Sequence, residues 1–160
     1  MTIDFKQDIL DPVAQDFATM DTFINDGITS KVALVMAVSK HVVEAGGKRM
    51  RPIMCLLAAK ACGAEDLERQ RKLAAIIEML HTATLVHDDV VDDFLISRAF
   101  DLLVDLGDMT LLKDFSTGTC EIAEGEVLQL QAQHQPETTE QTYLDIIHGK
   151  TSRLFELATE

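Results

Sequence analysis

Three aspartates, Asp88, Asp89 and Asp92, fall inside the short run His87-Asp88-Asp89-Val90-Val91-Asp92. A carboxylate cluster of this kind collects hard cations such as Mg²⁺. Upstream lies Gly46-Gly47-Lys48-Arg49-Met50-Arg51-Pro52, where cations meet a double glycine and a proline. Pro52 is tolerated only near the first turn of a helix, so Lys48 and Arg51 flank a helix N-terminus, where free N–H groups and cations together collect phosphate oxygens. The pair of motifs suggests a diphosphate held partly through metal.

An Asp-Asp-x-x-Asp pattern arises by chance in roughly one chain of this composition in six, and its bland reading is a solvated acidic patch. Leu80, Ala83, Leu85, Val86, Val90 and Val91 surround these acids, more apolar than an exposed face requires. Lys48 and Arg51 alone would be ordinary helix-flanking charges; the adjacent glycines, which allow close backbone approach, add an anion site to the alternatives. His81 is either a hydrogen-bonded core histidine or a donor to a phosphate oxygen. Lys150-Thr151, after Gly149, reads by itself as a surface pair on the last helix.

The elements that must position these residues read as helices, because Ala, Leu, Met, Glu and Gln fill long stretches with apolar residues three and four apart. A first helix spans 3–26 and is kinked or divided at Pro12; a second, 31–45, is apolar enough to be largely buried, with Gly46-Gly47 as its left-handed stop. A third covers 52–62 and closes at Gly63. A long helix from 65 to 91 puts Ile77, His81, Thr84, Asp88 and Asp92 on one stripe, with Asp89 turned aside by about 100°. Further helices cover 94–106, 109–134 (ending before Pro136) and 139–159, the last opened by Thr138 or Thr139 with Glu140 in its first turn. The chain reads as all-α and as a single helical domain over 1–160.

Composition narrows the partners. The chain has 160 residues, 47% hydrophobic and 5% aromatic with no Trp, enough for a packed core. Its net charge of −13 argues against extended contact with nucleic acid or anionic lipid, so a phosphorylated ligand needs a local basic site or metal. Cys55, Cys62 and Cys120 lack CxxC spacing and read as reduced core residues, with no zinc site. With no basic leader and no apolar run of about eighteen residues, a soluble cytoplasmic protein is expected.

The glycine–lysine–arginine run, then Leu80-His81-Thr82-Ala83-Thr84-Leu85-Val86-His87-Asp88-Asp89-Val90-Val91-Asp92, then Gly149-Lys150-Thr151, resemble in order and spacing the trans-polyprenyl diphosphate synthases. Glu121-Ile122-Ala123-Glu124-Gly125-Glu126-Val127-Leu128-Gln129-Leu130 is similar to a helix of the long-chain, octaprenyl-type members. The resemblance covers nearly the whole chain and implies part of an isoprenoid-synthase-type helical bundle. It implies that Lys48, Arg51 and His81 hold the diphosphate of isopentenyl diphosphate, and that Asp88 and Asp92 ligate Mg²⁺ bridging an allylic diphosphate also touched by Lys150 and Thr151. In the implied reaction diphosphate departs, an allylic cation forms, the isopentenyl double bond attacks it and a proton is lost. Chain-length control falls on Ala83 and Thr84, small residues that imply a long product for quinone side chains, and a homodimer is expected.

Two departures accompany the resemblance. The family follows its aspartates with a loop carrying two arginines, whereas here Asp92 runs directly into Asp93-Phe94-Leu95; and its second aspartate motif has no counterpart before Glu160. Both imply a longer parent, with a segment missing between Asp92 and Asp93, and negligible condensation activity for these 160 residues alone. A non-catalytic partner subunit of a heteromeric synthase is the rival reading; the persistence of Lys48, Arg51, Asp88, Asp89 and Asp92 favours an enzyme.

Overall fold

The computed structural model describes residues 9–44, 48–85, 89–133, 135 and 137–159, with the backbone alone at 89 and 90. Every regular element among them is helical: α1 (Ala14–Gly27), α2 (Ala33–Glu44), α3 (Met50–Ala61), α4 (Leu67–Leu85), α5 (Asp89–Asp105), α6 (Met109–Ala132), α7 (Glu140–Ile147) and α8 (Arg153–Thr159), with a 3₁₀ turn at Asp11–Val13 and a π turn at His148–Ser152. Pro12 stands inside the 3₁₀ turn, so it divides the first helical stretch as its missing N–H requires. The helices form two compact units, α1 to α5 and α6 to α8.

The first unit is organised around α4, where Ala74, Ala75, Ile76, Ile77, Glu78, Met79 and Leu80 are buried in succession. A helix apolar on every side must be surrounded. Here α1, α2, α3 and α5 all pack against it. α5 lies back along α4 through Val91, Leu95, Ala99 and Leu103, one buried residue per turn, and Arg98 Nε donates to the Gly27 carbonyl at 2.6 Å. Buried Asp16 on α1 ties three elements together, meeting Arg71 of α4 at 2.7 Å and Lys60 of α3 at 3.0 Å. Burial alone would raise the Asp16 carboxyl; Arg71 and Lys60 outweigh it through hydrogen bonds and charge and hold it below its ordinary 3.8. A carboxylate whose folded value is depressed stabilises the fold above its unfolded value, and that contribution is lost as pH falls through the lowered one.

Three expectations are corrected. The long helix over 65–91 is two helices: α4 closes at Leu85 and α5 opens at Asp89. In the last turn of α4 the Thr82 and Thr84 hydroxyls bond back to the Glu78 and His81 carbonyls, local bonds that compete with the helical ladder. The segment expected to be largely buried, α2, buries only Ser39 and Val43, while Val32 and Leu34 beside and within it are 56% and 73% exposed. Of the cysteines, Cys55 is buried, its thiol pushed by burial up to about 12, but Cys62 and Cys120 are exposed.

In the second unit Asp108 caps α6 by accepting from the Thr110 and Leu111 N–H groups, and Thr139 caps α7 by accepting from Thr142 N–H. Phe115, Ile122, Leu154, Leu157 and Ala158 form the core. α6 meets the π turn backbone to backbone, because a Cβ on Gly125 would lie 2.9 Å from the Lys150 nitrogen and 3.1 Å from the Gly149 carbonyl carbon. Gly to Ala inside a helix ordinarily stabilises by about 1 kcal/mol. At Gly125 the sign should reverse, since overpacking costs about 1–3 kcal/mol; Gly125→Ala is expected to lower the urea midpoint, and a raised midpoint would contradict this crossing.

Candidate functional site

The cationic loop enters α3 through Arg49, the N-cap, whose φ of 53° lies in the left-handed region. For a residue with Cβ this conformation is strained, and the side chain supplies the compensation. Arg49 Nη1 donates to Glu78 at 3.0 Å and Nη2 to the Val43 carbonyl at 2.7 Å, so one guanidinium clamps the end of α2 to the buried middle of α4. Burial raises the Glu78 carboxyl, against the pull of Arg49 and Arg51. Gly46 and Gly47, the expected left-handed stop, lie outside the described residues.

Arg51 and Pro52 are the second and third residues of α3, as the proline required. Arg51 Nη1 lies 2.9 Å from His81 Nε2. A guanidinium has only donors, so Nε2 accepts and the imidazole proton sits on Nδ1. Burial, then the charges of Arg51 and Arg49, push His81 down to about 4, which keeps the ring neutral near pH 7. Glu78 and His81 are three apart on α4 and thus neighbours on its surface, matched to arginines two apart at the start of α3. Lys48, exposed, precedes this pair.

Of the three predicted acids, only the Asp92 side chain lies among the described residues. Asp88 lies outside the described residues, as does the side chain of Asp89. Asp92 is half-buried in the first turn of α5, so the expected stripe from Ile77 and His81 does not run on to it within one helix. Asp92 thus stands in a first helical turn, where the positive end of a helix favours anions, a structural role that a mid-helix reading could not show. A carboxylate oxygen suits a hard cation in donor chemistry; among the described residues no three His, Cys, Asp or Glu gather as a metal site. Ala83 is buried on α4, and Thr84 is half-buried beside it.

In the second unit Lys150 and Thr151 fall inside the π turn, a departure from α-geometry that recurs at functional sites. Lys150 Nζ donates to Gln129 Oε1 of α6 at 2.8 Å, and Thr151 is exposed. Arg153 at the start of α8 pairs with Glu121 and Glu156. Sequence reasoning assigned no role to Arg49, Glu78 or Gln129. Only Glu78 carried a signal, as the single charge in an apolar run.

The chain is 74% identical, over its full length, to the geranyl-diphosphate-specific all-trans-nonaprenyl-diphosphate synthase of Rhodobacter capsulatus, covering 57% of that protein; the aligned stretch is 184 residues against the chain's 160. It is 39% identical over 92% of its length to the octaprenyl diphosphate synthase of Escherichia coli, covering 53% of it. The chain thus spans about half the length of the curated relatives it matches. Among solved structures, a Caulobacter crescentus polyprenyl synthase complexed with calcium and isoprenyl diphosphate superposes with a TM-score of 0.91 at 36% identity, over 96% of this chain and 54% of that one. The fold is therefore all-α, of the isoprenoid-synthase type. The polyprenyl synthetase family model matches residues 32–93 and again 93–160, and with it the chain belongs to the polyprenyl synthetase family.

Proposed function

We propose that the parent of this chain is a trans-prenyltransferase that condenses isopentenyl diphosphate with an allylic prenyl diphosphate into a long-chain product for quinone side chains. The observation that carries the reading is the Arg51–His81 bond beside Lys48 at the N-terminus of α3: cations, free N–H groups and a neutral imidazole converge where a diphosphate would be bound. Lys48, Arg51 and His81 hold the isopentenyl diphosphate, and Lys150 and Thr151 the allylic one. Asp88 and Asp92 supply oxygen donors for Mg²⁺, which when bound offsets charge on the departing diphosphate. The calcium and isoprenyl diphosphate named with the Caulobacter structure support both ligand classes.

His81 works here as an uncharged group. With Nε2 occupied by Arg51, its Nδ1–H remains a donor, and positive charge comes from Arg51 and Lys48. The family match in two stretches meeting at residue 93 supports one incomplete synthase domain lacking a segment between Asp92 and Asp93. The 160 residues alone then bind diphosphate without condensing substrates. A cytoplasmic, homodimeric parent belongs to the same reading; no described helix is long and apolar enough to cross a membrane.

Calorimetric titration of the chain with inorganic diphosphate and Mg²⁺ should give saturable binding, weakened about tenfold or more in Arg51→Ala, as loss of a charged hydrogen bond implies. Asp88→Ala should remove the Mg²⁺ dependence, and an unchanged affinity in Arg51→Ala would sink the site. The His81 ring, followed by NMR, should titrate near pH 4 rather than its ordinary 6.5. Because that value is depressed on folding, protonation opposes the fold, and stability should fall as pH drops from 6.5 towards 4. A midpoint near 6.5 would disprove the neutral acceptor. In the full-length parent, Ala83→Phe should shorten the product; an active enzyme with unchanged chain length would exclude Ala83 from length control.

A further inference from the structure

Lys150 owes its place to three features of the second unit. The π turn winds an extra residue into the helix between α7 and α8. That shifts the residues after it by about 100° from where a continuous α-helix would hold them. The crossing of Gly125 and Gly149 then brings the backbone of α6 against the Lys150 nitrogen. Gln129 stands four residues beyond Gly125, one turn along the same face of α6, and its carbonyl oxygen receives the half-buried ammonium at 2.8 Å.

We infer that Gln129 is a positioning residue for Lys150, fixing the ammonium through a neutral hydrogen bond that leaves its full charge available to an anionic ligand. A flexible four-carbon stem loses rotamer freedom when its head is pinned, and pinning before binding removes that cost from the binding step. The neutrality of the partner matters as much as its reach. A carboxylate at 129 would hold the ammonium at least as well but cancel its charge, whereas an amide oxygen occupies one of three N–H groups and cancels nothing. The inference rests on Lys150 contacting a diphosphate, as proposed above.

Two readouts on the intact chain separate the parts. Detection of ¹⁵N-labelled lysine ammonium groups, with Lys150→Ala for assignment, reads the contact without any ligand: a slowly exchanging Lys150 signal should be present in wild type and in Gln129→Glu and absent in Gln129→Leu. Titration with inorganic diphosphate and Mg²⁺ reads the consequence. Both variants should bind about five- to tenfold more weakly, the first through a neutralised charge and the second through a mobile one. A purely stabilising contact would leave the affinity of a folded Gln129→Glu chain unchanged, and that result overturns the inference even where Gln129→Leu does not fold. A Lys150 signal unaffected by Gln129→Leu also overturns it. If the signal depends on Gln129 but wild type binds no diphosphate, the functional reading above is what fails, and the role assigned to Gln129 falls with it.

Discussion

A carboxylate on a helix buried on every side must find a cation or give up its charge, and Glu78 finds Arg49. The consequences reach well beyond one ion pair. Removing either partner of a buried pair costs about 3–5 kcal/mol, because the other is left as an uncompensated charge. Arg49 is therefore fixed, and since the same guanidinium also binds the Val43 carbonyl, the end of α2 is fixed with it. The left-handed backbone at Arg49 then sets the direction in which α3 begins, and so the places of Lys48 and Arg51 on either side. Arg51 in turn settles the tautomer of His81. The cationic end of the first unit is thus laid out from inside α4, through the buried Glu78.

The second unit achieves position by omission of side chains. Gly125 and Gly149 let α6 approach the π turn more closely than a Cβ at 125 allows, and Gly118 leaves room on α6 for the Leu157 side chain of α8. Polar contacts at the rim hold what this approach places: Gln129 takes Lys150, and Arg153 bridges Glu121 and Glu156. A π turn is a costly irregularity in a helix, retained when the surrounding packing over-determines it. Here the glycine crossing supplies that packing.

What could be read from the chain was local chemistry. Pro52 near a helix start, Gly63 as a stop and a cap at Thr138 or Thr139 each rest on local residue preference, and the first two are found where expected while the cap is Thr139. Period-based reasoning failed at Leu85, because Val90 and Val91 continue the apolar pattern of α4 although they belong to a helix that packs back along it; a period records faces, not reversals. Apolar composition likewise mistook α2 for a buried helix. The left-handed stop expected at Gly46-Gly47 lies outside the described residues, and the left-handed Arg49 was not foreseen: its strain is compensated by Glu78 29 positions away, a partner no local rule can supply. Gln129 left no trace at all: its role depends on a crossing between helices distant in sequence.

The family match breaks at residue 93, yet α5 runs through that point without interruption. Its buried residues explain how. Val91 precedes the break, Leu95, Ala99 and Leu103 follow it, and all four keep a spacing of one residue per turn. Burying such a side chain contributes about 1.5–3 kcal/mol for the larger residues, so a join that kept this register would retain the packing of α5 on α4, while a shift of one residue would turn the later stripe about 100° into solvent. Asp92 and Asp93, where the two matched stretches meet, fall off the stripe and near the positive end of the helix, where acids are tolerated best. Continuity of fold across this point is therefore no measure of catalytic completeness: the stripe that closes the core and the Asp92 carboxylate lie on different faces of α5, so packing along one does not constrain the other.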